Sequence, residues 1–450
     1  MKEKVNRSKL LSMFISEDGK NYALTFSLVC ILFLLWGLCN GMIDVLNKHF
    51  QNSLGLTKAQ SAYVQAAWYG AYFLMAVPSG WVARRFGYKG GILTGLIIVI
   101  AGSLLFVPIT KITGSTAMVF SFFLAALFVV ASGLTFLETI ANPYTTVLGP
   151  VKSGVARINL AQSFNAVGWI LGPVIGGSFI LSNTEIVNKS NESLYLPYLL
   201  IAGIVVVILT VFIFSPIPEI HEKQEAKTAS NGTQHARPLY KQWHFVLAVF
   251  SQFLYCAAQT GIFSFFINYV KDYMPAVSRG VAGFLPEGMT YIKDGLGYIT
   301  ERGASILLAA GGFGLFLAGR FTGSIILRYA KPHKTLGFYA LANIAMMAIV
   351  IFLPGWFSIT ALLLSFFFMS IMYPTHFALA IRGLGDKTKL GSSFMVTAIV
   401  GGSIMPMLMG RIADIYSMRI GFIMPMICFI FIMSYGFNWN RFFKHDIEPR

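Results

Sequence analysis

The sequence predicts an all-α membrane protein, twelve transmembrane helices arranged as two pseudo-symmetric six-helix bundles. Three observations lead there. Only 12% of the 450 residues are charged and 56% are hydrophobic, with a mean hydropathy of +0.68. A water-soluble domain needs about 25% charged residues to cover its surface, so lipid is the solvent. Twelve apolar runs reach, or nearly reach, the length of about 20 residues that crosses a bilayer. One polar stretch, SPIPEIHEKQEAKTASNGTQHARPLYK (215–241), divides those runs six and six.

In chain order, residues 1–21 form a polar tail without the short apolar core and small-residue cleavage site of a signal peptide. The first bundle, 22–214, holds runs at 24–46, 59–82, 90–107, 117–148, 156–181 and 194–214. After the linker, the second bundle, 242–440, holds runs at 245–270, 304–327, 336–353, 359–381, 392–410 and 420–437, and 441–450 is a second tail. Runs this long and continuous are helices, because lipid makes each segment satisfy its own backbone and barrel strands are shorter. The halves echo each other: PSGWVARRFGYKGG links spans two and three, and FTGSIILRYAKPHKTLG links eight and nine. VLGPVKSGVARINLAQSF and GLGDKTKLGSSFMV form a second matching pair, which points to a duplicated six-helix unit.

The net charge of +16 would suggest nucleic acid in a soluble chain, but here the basic residues collect in short loops as topology signals. With both termini on one side, 23 of the 34 basic residues fall on that side, 10 on the other and one inside a span. Both termini are thus expected in the cytoplasm. Cys30, Cys39, Cys256 and Cys428 all lie in apolar segments without metal or disulfide spacing. No GxxxxGKS/T run offers ATP as an energy source, and no zinc pattern or nucleophile elbow suggests an enzyme.

Three charges fall well inside spans: Asp44, Glu138 and Arg320. Such residues usually face a cavity or a partner. Trp36, Asn40 and Asp44 share one helix face, as do Thr135, Glu138 and Asn142 on span four, and Asn159, Gln162 and Asn165 on span five. Gln65 and Tyr69 repeat the pattern on span two, and Gln252, Tyr255 and Gln259 on span seven. These stripes would line a polar cavity, although any single amide serves equally well as a tie between helices. A carboxyl in such a cavity can carry a proton without any cofactor, the proton gradient being the energy source. Lys48, four residues past Asp44, would act on that carboxyl. Amides with aromatic rings suit a neutral, hydroxyl-rich solute such as a sugar. Arg320, near the cytoplasmic end of span eight, reads as a structural anchor, and Arg84, Arg85 and Arg157 stand in the Gly-and-basic turns.

The motifs LWGLCNGMIDVL, FLETIANPYTTVLGP, RINLAQSFNAVG, GRFTGSIILRYAKPHK and FMSIMYPTHFALAIRGLG resemble the fucose permease group of the major facilitator superfamily, over nearly the whole chain. The resemblance implies a proton-coupled sugar importer of the bacterial inner membrane, a monomer working by alternating access. It assigns proton coupling to Asp44 and Glu138 and a sugar contact to Asn165. Trp36, Asn40, Gln65, Asn142, Gln162, Gln259 and Tyr373 match other cavity positions, and Arg84, Arg85, Arg157 and Arg320 take structural or gating roles. The chain departs from the group at Asn40–Gly41, at Lys48–His49 and in a longer external segment, 272–303. Glucose/galactose and N-acetylglucosamine carriers belong to the same neighbourhood. A sodium-coupled carrier of those sugars is the rival within transport, and a transporter-like sugar sensor is the rival from another class.

Overall fold

Lipid cannot bond a peptide group, so each apolar run closes its hydrogen bonds on itself. The computed structural model describes the backbone of residues 12–16, 19–54, 58–112, 114–180, 195–220, 238–286 and 288–447. The side chains of 44–53, 58–62, 173–180, 195, 197, 301, 302 and 447 lie outside the description, which leaves Asp44 and Lys48 without side-chain geometry. The remainder of the expected tails and linker, 1–11, 221–237 and 448–450, also lies outside it.

The chain forms two compact units, Met1–Lys241 with Ala380–Ile399, and Gln242–Leu379 with Val400–Arg450. The helices of the first unit are α1 (Ala23–Leu54), α2 (Lys58–Ile109), α3 (Thr116–Val147), α4 (Gly154–Ile180) and α5 (Tyr195–Phe214). Helix α2 carries two of the expected spans. It breaks at Gly87, whose φ of 74° and ψ of −175° are not helical and whose positive φ suits only glycine. Every one of the twelve expected spans falls on a helix. Among the described residues nine helices are long and apolar enough to cross a membrane, and Tyr198–Phe214 is a shorter apolar one.

Helices α1 and α4 pack backbone to backbone through facing small residues. Gly37 and Gly41 on α1 lie four apart, and so do Gly168 and Gly172 on α4. A Cβ on Gly168 would come within 2.6 Å of Leu38 N and 2.8 Å of Gly37 C, and one on Gly172 within 2.5 Å of Leu38 O. In lipid, where apolar surface gains nothing from being hidden, such close approach supplies the packing energy. Gly168→Ala is therefore expected to lower stability by roughly 1–3 kcal/mol, the range for overpacking a tight contact. Thermal unfolding in detergent checks this, and an unchanged midpoint would contradict it.

The second unit opens with α6 (Trp243–Tyr273). Its N-terminus is capped by the Asp446 carboxylate, which accepts from His244 N at 2.8 Å and lies 2.8 Å from His244 Nδ1. Segment 272–303, expected to be external, is folded: β1 (Val277–Ser278), α7 (Arg279–Phe284), β2 (Thr290–Lys293) and β3 (Leu296–Ile299) include a three-stranded antiparallel sheet in the order β1-β3-β2. Its hairpin turn is Asp294–Gly295, with φ of 53° and 77°, the positive pair that a two-residue type I′ turn requires.

Spans eight, ten and eleven, expected to be continuous, are interrupted. Span eight runs as α8 (Glu301–Ile306), a π-helical stretch Leu307–Phe313 and α9 (Gly314–Ile326). Span ten, after α10 (Pro332–Phe352), is split into α11 (Trp356–Met369) and α12 (Met372–Ile381). Span eleven is α13 (Thr388–Thr397), a 3-10 turn Ala398–Val400 and α14 (Gly401–Ile415). The chain ends in α15 (Met418–Gly421) and α16 (Ile423–Ile447). The segment carrying α13, expected in the second bundle, groups with the first unit. Pro374 explains the break in span ten. It has no N–H to give the carbonyl of Ser370 four residues earlier.

Candidate functional site

In the first unit the polar stripes of separate helices meet. Trp36 Nε1 on α1 donates to the Tyr72 hydroxyl on α2 at 2.7 Å, and Trp68 Nε1 on α2 donates to Asn40 Oδ1 at 3.1 Å. Asn40 Nδ2 turns back to Trp36 O at 2.9 Å. Two indole N–H groups and one amide thus hold α1 and α2 in register around a patch of aromatic faces. The Tyr72 phenol is also within electrostatic reach of Glu138. Glu138 lies on α3 inside a run, Ala131 to Thr145, in which every residue is buried, and it is itself 2% exposed.

One turn further along the same face of α3 stands Asn142, fully buried. Its Oδ1 accepts from Gln162 Nε2 on α4 at 3.1 Å, whereas its Nδ2 has no partner among the described residues. A buried donor without a partner is costly, so Asn142 offers a hydrogen bond to whatever enters. Pro143 follows directly and removes a backbone donor beside it. Asn165 Nδ2 reaches Phe33 O on α1 at 3.3 Å, beside the tight contact between Gly37 and the Asn165 backbone. Gln65 and Tyr69 on α2 are half-buried. Asp44 continues the Trp36–Asn40 face on α1, but its side chain lies outside the described residues.

In the second unit Gln259 is half-buried on α6 and Tyr373 is buried on α12, its ring 6.4 Å from those of Tyr255 and Phe377. Gln252 is fully buried, and its Oε1 has no partner among the described residues. Arg320 serves the break in span ten: its Nε donates to the Ser370 carbonyl at 3.3 Å, the acceptor that Pro374 leaves free. The Tyr255 hydroxyl donates to Met369 O at 3.0 Å one residue earlier, and the Arg320 guanidinium lies 4.6 Å from the Phe316 ring. Arg320 and Tyr255 therefore hold the interrupted helix that presents Tyr373.

The other arginines do different work. Arg157 is fully buried on α4 and, among the described residues, donates to neutral oxygens: Thr145 O at 2.9 Å, Met13 O at 2.8 Å, Pro150 O at 2.9 Å, Ser153 Oγ at 2.8 Å and Thr146 O. Arg84 and Arg85 are exposed and line a cavity of about 550 Å³ with Glu219, Asp386 and Lys389. The Arg85 guanidinium lies 5.5 Å from the rings of both Trp81 and Phe86.

Sequence reasoning missed Trp68 and Tyr72, which carry the ties to Asn40 and Trp36. Their signal was an aromatic pair at i, i+4 on the same span as Gln65. It also missed His376, fully buried on α12 with Nε2 2.7 Å from Ser251 Oγ and its ring 5.9 Å from that of Tyr435. A histidine inside an apolar span was the signal there.

Comparison with known proteins bears on the family and the fold. The family model of the Major Facilitator Superfamily matches residues 26–398. The L-fucose-proton symporter of Escherichia coli K12 is 35% identical over 439 residues, 93% of this chain and 94% of that protein. A glucose/galactose transporter of Brucella abortus is 34% identical over 423 residues, 94% of this chain and 95% of its own. A crystal structure of the transporter FucP in the outward conformation superposes with a TM-score of 0.77 at 34% identity, covering 93% of this chain and 99% of that one.

Proposed function

The chain belongs to the major facilitator superfamily, and from that premise we propose that it imports a neutral monosaccharide, fucose or a related hexose, by proton symport through alternating access. The observation that carries this reading is the α3 face on which the buried Glu138 carboxyl stands one turn from the unpartnered Asn142 Nδ2. The amide has a hydrogen bond to give to a sugar hydroxyl, and the carboxyl has a charge that a proton can neutralise. Trp36, Asn40, Gln65, Tyr69, Gln162, Asn165, Gln259 and Tyr373 are the remaining substrate residues on this reading, and Asp44 is the second proton carrier. The energy source is the proton gradient, the working form is a monomer, and the site of action is the bacterial inner membrane with both termini cytoplasmic.

The relatives' names support the sugar and the proton: one is a fucose-proton symporter and the other a glucose/galactose transporter. The test is sugar-induced pH change. Unbuffered cells expressing the protein are expected to alkalinise their medium on addition of L-fucose, D-galactose or D-glucose, whichever is the cargo. Uptake that follows a sodium gradient and ignores pH would replace the proton with sodium. Binding by purified protein with no flux in proteoliposomes would make it a sensor.

A further inference from the structure

Segment 272–303 does more than join two spans: it folds into a braced wall with a hollow on one side. In the hairpin of β2 and β3, Tyr291 stands opposite Tyr298 across the strands. Alternation along a strand puts Lys293 on the same face as Tyr291 and turns Ile292 and Gly297 to the other. That other face is covered, because a Cβ on Gly297 would come within 2.7 Å of the Ala282 Cβ on α7. The end of the hairpin is clamped as well. Thr300 Oγ1 donates to Gly288 O at 2.7 Å and accepts from Gly303 N at 2.9 Å, while Thr300 N donates to Met289 O at 2.9 Å.

The two tyrosine rings lie 25° from parallel with centroids 5.6 Å apart. Near-parallel rings at that separation overlap only in part, so each keeps uncovered aromatic surface, and Tyr291 is 52% exposed. They form one side of a cavity of about 500 Å³, whose other walls include Lys271, Met274, Ile299 and Thr300. All of these residues belong to the second unit. The volume falls within the range of small-molecule sites, and the lining has their composition, aromatic and apolar surface with a few polar groups. Flat aromatic rings suit the apolar C–H face of a pyranose, and an ammonium such as that of Lys271 has three donors for its hydroxyls. Lys271 and Lys293 each have an aspartate as the next residue, Asp272 and Asp294, so the charges here balance and favour a neutral ligand.

We propose that this cavity is a second sugar site, outside the membrane, at which Tyr291 and Tyr298 stack the ring of an incoming monosaccharide before it enters the transport path. The proposal rests on the transport reading and its predicted orientation, which bring a neutral sugar to this side of the membrane as cargo. Cross-strand aromatic pairs also stabilise hairpins. A pair that only braced the hairpin would leave sugar capture unchanged, so the two roles separate on binding.

Full-length protein is tested in proteoliposomes and in detergent, with L-fucose, D-galactose and D-glucose as probes. In proteoliposomes, Tyr291→Ala and Tyr298→Ala are each expected to raise the KM for uptake roughly fivefold, the loss of one aromatic contact. The kcat is expected to stay unchanged, since capture weakens and translocation does not. Tyr298→Phe keeps the ring and is expected to keep the unaltered KM. In detergent, a nitroxide attached at Lys293→Cys, on the tyrosine face of the hairpin, is expected to broaden the proton resonances of the bound sugar; the native cysteines are buried. Adding Tyr298→Ala is expected to remove that broadening. Unaltered KM in both alanine variants, no broadening by the nitroxide, or broadening that survives Tyr298→Ala would each overturn the site. No uptake of any probe by the unaltered protein, together with broadening that depends on Tyr298, would refute the transport reading and leave the external site standing.

Discussion

Glu138→Gln is expected to abolish concentrative sugar uptake while leaving exchange of sugar across the membrane intact. The Glu138 side chain sits in a fully buried stretch of α3, with an unpartnered amide donor one turn away and the Tyr72 phenol within electrostatic reach. An ionised carboxylate in such a place costs several kcal/mol unless something neutralises it. A proton does so at the least structural cost. Glutamine copies the size and hydrogen bonding of the protonated acid but has no proton to release, so the site is left permanently in its loaded form. Sugar then binds and crosses in both directions, but the step in which the carrier sheds its proton is lost, and with it the coupling. Counterflow of labelled sugar in proteoliposomes is expected within about threefold of the unaltered rate, whereas uptake driven by a pH gradient falls to the level of passive equilibration. A Gln variant that accumulates sugar against its gradient would remove Glu138 from the proton path and leave Asp44 as the candidate.

The spans were legible because lipid leaves the backbone one solution, so an apolar run of sufficient length is a helix whatever its side chains. Their interruptions were not. The π-helical stretch at Leu307–Phe313 and the 3-10 turn at Ala398–Val400 lie in uninterrupted apolar sequence, and the turn after Met369 shows itself only through Pro374. Segment 272–303, expected to be external, stood out as longer than the family pattern. Its hairpin was not read, although Asp294–Gly295 is a strong two-residue turn signal. Glu138 stood out because a lone charge in an apolar run is conspicuous. Trp68 and Tyr72 did not, because an aromatic residue there reads as packing until the direction of its N–H or O–H is known.

Arg157→Ala is expected to cost more stability than any other single change on the predicted cytoplasmic face, on the order of 4 kcal/mol or more. By sequence this arginine counts as one positive charge in a loop. In the fold it is fully buried and, among the described residues, paired with no carboxylate; its partners there are the carbonyls of Met13, Thr145, Thr146 and Pro150 and the Ser153 hydroxyl. Thr145 and Thr146 lie in the last turn of α3, where carbonyls have no helical partner and the helix dipole favours a cation. One planar guanidinium with five fixed donors thus closes the end of the helix that carries Glu138, the turn leading to α4 and the chain near Met13. Alanine would strand these acceptors in a dry interior and leave a void. Arg157→Lys keeps the charge, but its ammonium cannot span acceptors set around a plane, so a smaller loss of roughly 2 kcal/mol is expected. Thermal unfolding of the two variants in detergent should therefore order as unaltered, then lysine, then alanine. A lysine variant that melts with the unaltered protein would show that charge alone suffices there. An alanine variant that does so would remove Arg157 from the account of the fold.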